Sequence, residues 1–431
     1  MEHSELDYTF AQKSNTILVN TIKLMDINSQ EYIRAIAPYI AKAYKLGKEQ
    51  KYDEAYRVLV SHFEAKEIPS YFEEPCGWTI YRYLKNNEDR LSSRDVRKAL
   101  AFYLTFASCK PSLLHSCIMI QAANLEKKHE NDFRFIEFCR MWKLESLRDE
   151  DFLSEKGATE NGKSIEFQSL AEKVATRLYK ELKQRHTVEF VNELFPFFET
   201  RKKKCLNNRF IRMYIAQLYY WQGNTERAIA EYKHILRTTP EWFIWKHLGD
   251  ICEDEEVRIS LYCKAMTMMG KEEYIGELRL ALANLLLDTN KEQAAYEVEQ
   301  YMRTYKGNGW NIVGDVYLLQ NKLLGVTPST QAKQFYRSNI DKAEEFAYSD
   351  IPVEELTYNG IVTNHAGKEK ASLVNRQKKL FIRTTLTPLL RKASVGDIFL
   401  VRVYESQNRK IALTIHPTGK RNKANQKIGR K

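Results

Sequence analysis

The sequence predicts a mainly α protein, an array of helical hairpins stacked as a solenoid and followed by a small five-stranded β-barrel. Three observations carry this. Apolar residues recur at helical spacing through most of the first 345 residues. Within that region one segment is echoed 66 residues further on. Beyond residue 350 the spacing changes to alternation, the mark of half-buried strands. With 17 Gly and 10 Pro in 431 residues, the chain is too poor in turn formers for an all-β fold.

Residues 1–28 form an N-terminal segment whose opening, "MEHSELDYTF", is polar and acidic, so a secretory signal is not expected there. Residues 29–200 are a helical-repeat-like region. In 29–66, two amphipathic segments meet at the polar hinge "GKEQKYDE", and the second carries the stripe Tyr56, Leu59, Val60 and Phe63. Residues 92–107 open on serine caps and an aspartate and continue as a helix. Helical spacing returns over 111–128, 131–147 and 165–199. "SEKGATENGKS" (154–164) is polar and reads as a loop.

Residues 201–345 contain the internal repeat. "IRMYIAQLYYWQGNTERAIAEYKHILRTTP" (211–240) has a first helix with Ile215, Ala216 and Tyr219, a turn at Gln222-Gly223-Asn224, and a second helix with Ala228, Tyr232 and Ile235, closing on Pro240. "LRLALANLLLDTNKEQAAYEVEQYM" (278–302) repeats this, Asn290 matching Asn224 and Ala294 matching Ala228. "WKHLGDIC" (245–252) is echoed by "WNIVGDVY" (310–317). Both intervals are near twice 33 residues, which suggests units of that length. These residues resemble the tetratricopeptide repeat family; the unit at 245–268 departs from it, with "EDEE" in place of the glycine turn. The resemblance implies hairpins that bury their faces by stacking on neighbours and leave one concave surface free. Phe210, Met213, Gln217 and Tyr220 form the stripe such arrays turn toward a protein partner.

The last region, 351–417, reads as five strands: 356–363, 369–375, 379–385, 395–406 and 409–417, with the bridge "LTPLLRKAS" between the third and fourth. Phe399, Val401 and Val403 alternate with Leu400 and Arg402, and Ile411, Leu413 and Ile415 with Ala412 and Thr414. Five short strands with that bridge follow the plan of an OB barrel. "LFIR", "VGD" and "RKIALTI" further resemble the S1 and cold-shock family of OB folds. The resemblance implies that Leu380 and Ile382 point inward and Phe381 and Arg383 outward. Phe381 is then a stacking platform and Arg383 a group for stacking or phosphate, with Lys378, Lys379, Arg391, Lys392 and Arg402 as electrostatic support. "KASLV" lacks the aromatics usual on the second strand, so binding led by charge is expected rather than reading of sequence.

Charge agrees. Residues 357–431 hold 17 Lys and Arg against three acids, a net of +14, while residues 1–356 hold 50 basic and 53 acidic residues, a net of −3. A near-neutral body with a positive end points to a polyanion at that end, RNA or single-stranded DNA. Residues 418–431, "TGKRNKANQKIGRK", read as a basic disordered tail that adds Lys420, Arg421 and Lys423 to the contacts.

No apolar run approaches the ~20 residues that span a bilayer. The seven cysteines stand singly, without a CxxC pair, which fits reduced thiols in a cytoplasmic protein and no disulfide framework. The basic run "TRKKKC" (200–205) reads as solvated loop charge. His115, near Cys109 and Cys117, lacks the further ligands a metal needs. "RVLVSH" (57–62) has the Arg-x4-His spacing of a family of helical ribonucleases but carries Val58 where that family has a polar residue. No cofactor is expected. The chain therefore reads as a non-catalytic adaptor, its barrel and tail on nucleic acid and its repeats on a protein. This plan is similar to bacterial repeat-plus-cold-shock proteins of mobile-element and phage-conflict loci. A pure protein scaffold and a cryptic ribonuclease are the alternatives.

Overall fold

The structure, a computed structural model, describes residues 29–63, 68–125, 134–158, 162, 164–185, 187–204, 209–363, 367, 369–383, 388–406 and 409–422. Two compact units divide at Ile211 and Arg212. The expected N-terminal segment 1–28 and the last nine residues lie outside the described residues.

The first unit is built from helices α1 (Gln30–Lys48), α2 (Tyr52–Phe63), α3 (Glu73–Asn86), α4 (Ser93–Leu104), α5 (Leu113–Leu125), α6 (Phe135–Trp142), α7 (Leu170–Arg185) and α8 (Val188–Lys204). The α2 stripe buries Leu59 and Phe63, and Tyr56 stacks on Tyr83 at 4.0 Å. Helix α4 starts where the serine cap placed it: the Ser92 hydroxyl accepts from the Asp95 N–H at 3.2 Å. The polar stretch 154–164 is not a plain loop. It holds strand β1 (Glu155–Ala158), which pairs antiparallel with β2 (Ser164–Phe167). Gly162, in the left-handed region at φ +71°, belongs to an Asn-Gly dipeptide, a hairpin signal stronger than the surrounding polarity.

The second unit opens with helix pairs: α9 (Arg209–Trp221) with α10 (Thr225–Leu236), α11 (Trp242–Asp250) with α12 (Glu255–Met268), and α13 (Gly276–Leu286) with α14 (Lys291–Gly307). Their first helices begin at 209, 242 and 276, intervals of 33 and 34 residues. The first echo is structural. Asn224 and Asn290 both cap second helices, accepting from the N–H three residues on at 3.2 and 3.1 Å, and Ala228 and Ala294 are both fully buried. In the middle pair Asp254 replaces the asparagine cap, accepting from Val257 N–H at 2.9 Å. There Gly249 allows a close crossing: a Cβ on it would meet Tyr262 at 2.5 Å.

The second echo is not structural. "WKHLGDIC" lies in and just past α11, with Trp245 fully buried, whereas "WNIVGDVY" enters α15 (Gly314–Lys322) with Trp310 43% exposed. A solenoid repeat touches only its neighbours, and after α14 the chain departs from that. Helices α16 (Ala332–Ser338) and α17 (Asp341–Tyr348) pack back on α12. The Ser260 hydroxyl accepts from Ala343 N–H at 2.8 Å, and Tyr348 meets Trp245 edge-on at 5.7 Å.

A five-stranded antiparallel sheet follows: β3 (Val353–Thr363), β4 (Glu369–Val374), β5 (Lys379–Arg383), β6 (Asp397–Ser406) and β7 (Arg409–Arg421), in the order β5-β4-β3-β6-β7. All five expected strands are present, and α18 (Pro388–Arg391) occupies the bridge, its Leu390 fully buried. Leu356, Tyr358, Ala371, Leu373, Leu380, Phe399, Val401 and Val403 complete the core. The sheet curls until β7 lies near β5, but among the described residues no ladder joins those edges, so the expected closed barrel is not formed. Strand β7 also differs from its expected alternation. A bulge between Arg402 and Val403 shifts the register, so Ala412 and Ile415 face the core and Thr414 pairs with Arg402. It also runs to Arg421, four residues beyond the expected domain end, because Arg421 pairs with Asp397 across the sheet.

Candidate nucleic-acid interface

Register decides which side chains share a face. Val374 on β4 pairs with Lys379 on β5, Ser372 with Phe381, and Lys370 with Arg383. Directly paired residues point to one side of a sheet. Lys370, Lys379 and Phe381 therefore stand on the outer face of β4–β5, while Leu373 and Leu380 point into the core and Ile382 packs against it. Phe381 is 45% exposed, and the Lys379 ammonium lies 5.1 Å from its ring centroid. Strand β5 carries Arg383 at its end; its side chain lies outside the described residues. Lys370, half-buried and at the end of the row, was missed in the sequence, because only the register reveals that it pairs with Arg383. Ser372, paired with Phe381 in the same row, is fully buried, and its hydroxyl has no partner among the described residues.

The outer face of β6 is occupied at Arg402. Arg402, expected as electrostatic support, is 8% exposed. Its guanidinium donates to the Tyr348 carbonyl at 2.9 Å and to the Ile351 carbonyl, and it pairs with Glu345. It ties the sheet to the end of α17 and is not presented to a ligand. On β7, His416 meets Glu344 at 2.9 Å, a carboxylate that also pairs with Lys264 at 2.5 Å. Arg237 completes this join, lying over the Tyr404 ring at 5.6 Å and pairing with Asp350.

Lys378 is likewise committed, to Glu354 at 2.5 Å and Glu405 at 3.0 Å. Hydrogen bonds to those two carboxylates hold its ammonium pKa above the ordinary value. Arg391, Lys392 and Lys420 are exposed. Arg421 pairs with Asp397 at 2.8 Å. The Ser394 N–H and then Arg421 hold the Asp397 carboxyl below its ordinary range. The "VGD" entry is thus a built turn. Gly396 sits at φ +95°, and a Cβ there would meet the Asn422 carbonyl at 2.8 Å. Lys423 lies outside the described residues.

The expected peptide stripe on α9 is mostly interior. Met213 is buried, and Gln217 is buried with its side-chain carbonyl accepting from the Tyr232 hydroxyl at 3.2 Å. Phe210 is half-buried, and Tyr220 is exposed. Gln217 meets the second helix of its own pair, so the middle of the stripe is core while its ends are not.

The two described histidines of the first unit, His62 and His115, are held structurally. His62 Nδ1 lies 2.8 Å from the Val58 carbonyl one turn back, and its ring packs on Tyr39 at 3.8 Å. His115 is buried between the Tyr103 hydroxyl (2.9 Å) and the Trp142 carbonyl (3.0 Å) and stacks on the Trp142 ring at 4.0 Å. Burial lowers its pKa. Among the described residues no cluster of His, Cys, Asp and Glu could hold a metal ion, and no helix is long and apolar enough to cross a membrane.

Residues 209–343 match a family described as a domain of unknown function (DUF7017). The match covers the helix pairs and stops within α17, ahead of the sheet. No curated protein matches the chain.

Proposed function

We propose that the chain is a non-catalytic adaptor that holds RNA or single-stranded DNA on the outer face of β4–β5 and a protein on its helical hairpins. The observation that carries this reading is Phe381, a large ring left exposed beside Lys379 and in line with Arg383. A phenyl ring on a strand is a sequence-tolerant platform for a base, and flanking cations meet the phosphates on either side. Residues two apart on a strand stand ~6.6 Å apart, about the reach of one nucleotide step. The strand order supports the OB reading: it is that of an OB barrel with the seam between the third and fifth strands left open. The 33- and 34-residue intervals likewise support tetratricopeptide-like pairs in the first part of the second unit.

Titration of the full chain with labelled single-stranded RNA and DNA across a salt series tests this. We expect the logarithm of affinity to fall with log salt by about 0.7 per phosphate neutralised. Phe381→Ala should weaken binding by ~1–3 kcal/mol, the worth of one stacked base. Unchanged affinity in that variant would remove Phe381 from the site. Absence of binding at low salt would reject the nucleic-acid reading and favour a protein scaffold.

A further inference from the structure

Helix α15 is apolar on two sides. Val316 and Leu319 are buried against the unit, as is Leu323 just beyond the helix end. On the opposite side Tyr317 and Leu318 are exposed, Leu318 at 63%, and Val313 and Leu324 extend the patch at its two ends. An exposed apolar patch of this kind marks an association surface.

We propose that a second copy of this chain covers the patch, α15 lying antiparallel to α15 about a two-fold axis near Leu318. The seam on the outward side is Gly314, Tyr317, Leu318 and Asn321, at helical spacing and without a charge. A side chain built on Gly314 would meet nothing of its own chain, so the seam is open at that end. Two charges border the seam, Asp315 and Lys322, both exposed. Seven residues is almost two turns, so they lie on the same flank. In an antiparallel pair like flanks meet. Asp315 then faces the partner subunit's Lys322, and by symmetry the pair forms twice, as an isologous interface requires. A parallel pair would set this flank against the opposite one, which carries Gln320, and neither ion pair would form. The nine-residue helix is about 13 Å long, so the contact belongs to the small, reversible class of interfaces.

Sedimentation of the full chain over a concentration series, with no nucleic acid present, reads the association directly. The average mass should rise toward twice that of one chain. Leu318→Asp and Asp315→Lys should each weaken self-association at least tenfold, and the double variant Asp315→Lys with Lys322→Asp should recover most of the loss. All these positions are exposed, and circular dichroism should show every variant folded. A chain that stays monomeric throughout overturns the proposal. So does a dimer indifferent to Leu318→Asp, or a double variant as weak as the single one. None of these readouts depends on Phe381, so the dimer and the nucleic-acid reading stand or fall separately.

Discussion

Strands β5 and β6 present outer rows of similar character, Lys379 and Phe381 on one and Leu400, Arg402 and Tyr404 on the other, yet the rows meet different surroundings. At the centre of the β6 row, Arg402 lies against helix α17 and its exit, where Glu345 and two backbone carbonyls take its guanidinium. Among the described residues no acid pairs with Lys379, and Phe381 beside it stays 45% exposed. What separates a structural tie from a binding surface is therefore not the strand's own sequence. It is the presence of carboxylates and carbonyls on a neighbouring element. A buried guanidinium needs such partners for all its donors. A ring beside a lysine ammonium needs none and stays available.

The largest effect expected from breaking this contrast is on stability. Arg402→Ala should destabilise the chain by ~2–4 kcal/mol, because it strands the Ile351 carbonyl, leaves the Tyr348 carbonyl with the Ile351 N–H alone, and removes the Glu345 pair. Arg402→Lys should recover little, since one ammonium cannot reach three acceptors fixed for a planar fork. The urea midpoint of the full chain measures both. At a temperature where the variants remain folded, their affinity for single-stranded RNA should stay within about twofold of the parent. A large loss of affinity without loss of stability would place Arg402 in the interface and erase the contrast.

The next effect is on binding. Replacing Lys370 and Lys379 together by Ala should lower the salt slope by about 1.4, two phosphates at about 0.7 each. Stability should change by no more than ~0.5 kcal/mol, as for substitutions away from buried groups. An unchanged slope would move the phosphate path off this face, toward the exposed Arg391, Lys392 and Lys420.

The strands of this sheet were legible because alternation and the glycine at 396 are local signals. The inward set Phe399, Val401 and Val403 could be read directly, whereas the outward exposure of Phe381 followed only from the resemblance to S1 and cold-shock domains. Which cations were free could not be read, since that depends on contacts formed far along the chain. Arg402 meets Glu345, 57 residues away, and Lys378 meets Glu354 and Glu405. Lys370 was missed for the same reason: its place beside Arg383 is a matter of register between strands. In the helical part, the asparagine caps and buried alanines marked a true repeat, while the paired "W-x-x-x-G-D" strings did not. A helix interior and a helix entrance can share a short string when its glycine serves close packing in one and a chain start in the other. Met213 and Gln217 of the α9 stripe proved interior because one periodicity describes both the side that meets a partner and the side that meets the helix's own pair.

Two adjacent lysines give the finest test of the comparison. Lys378 and Lys379 are equivalent in sequence, but strand alternation sends them to opposite sides. Lys378 neutralises Glu354 and Glu405 on other strands, and Lys379 lies beside Phe381. Lys379→Ala should lower affinity for a single-stranded oligonucleotide and take about 0.7 from the salt slope. Lys378→Ala should leave the slope unchanged and cost no more than ~1 kcal/mol of stability, as partly exposed ion pairs do. Its effect on affinity should stay small at physiological salt, where the two uncovered carboxylates are screened beyond about 8 Å. Fluorescence anisotropy on the two single variants separates these outcomes. Equal losses from both would mean that net charge alone governs binding and that the exposed row on β5 has no special part in it.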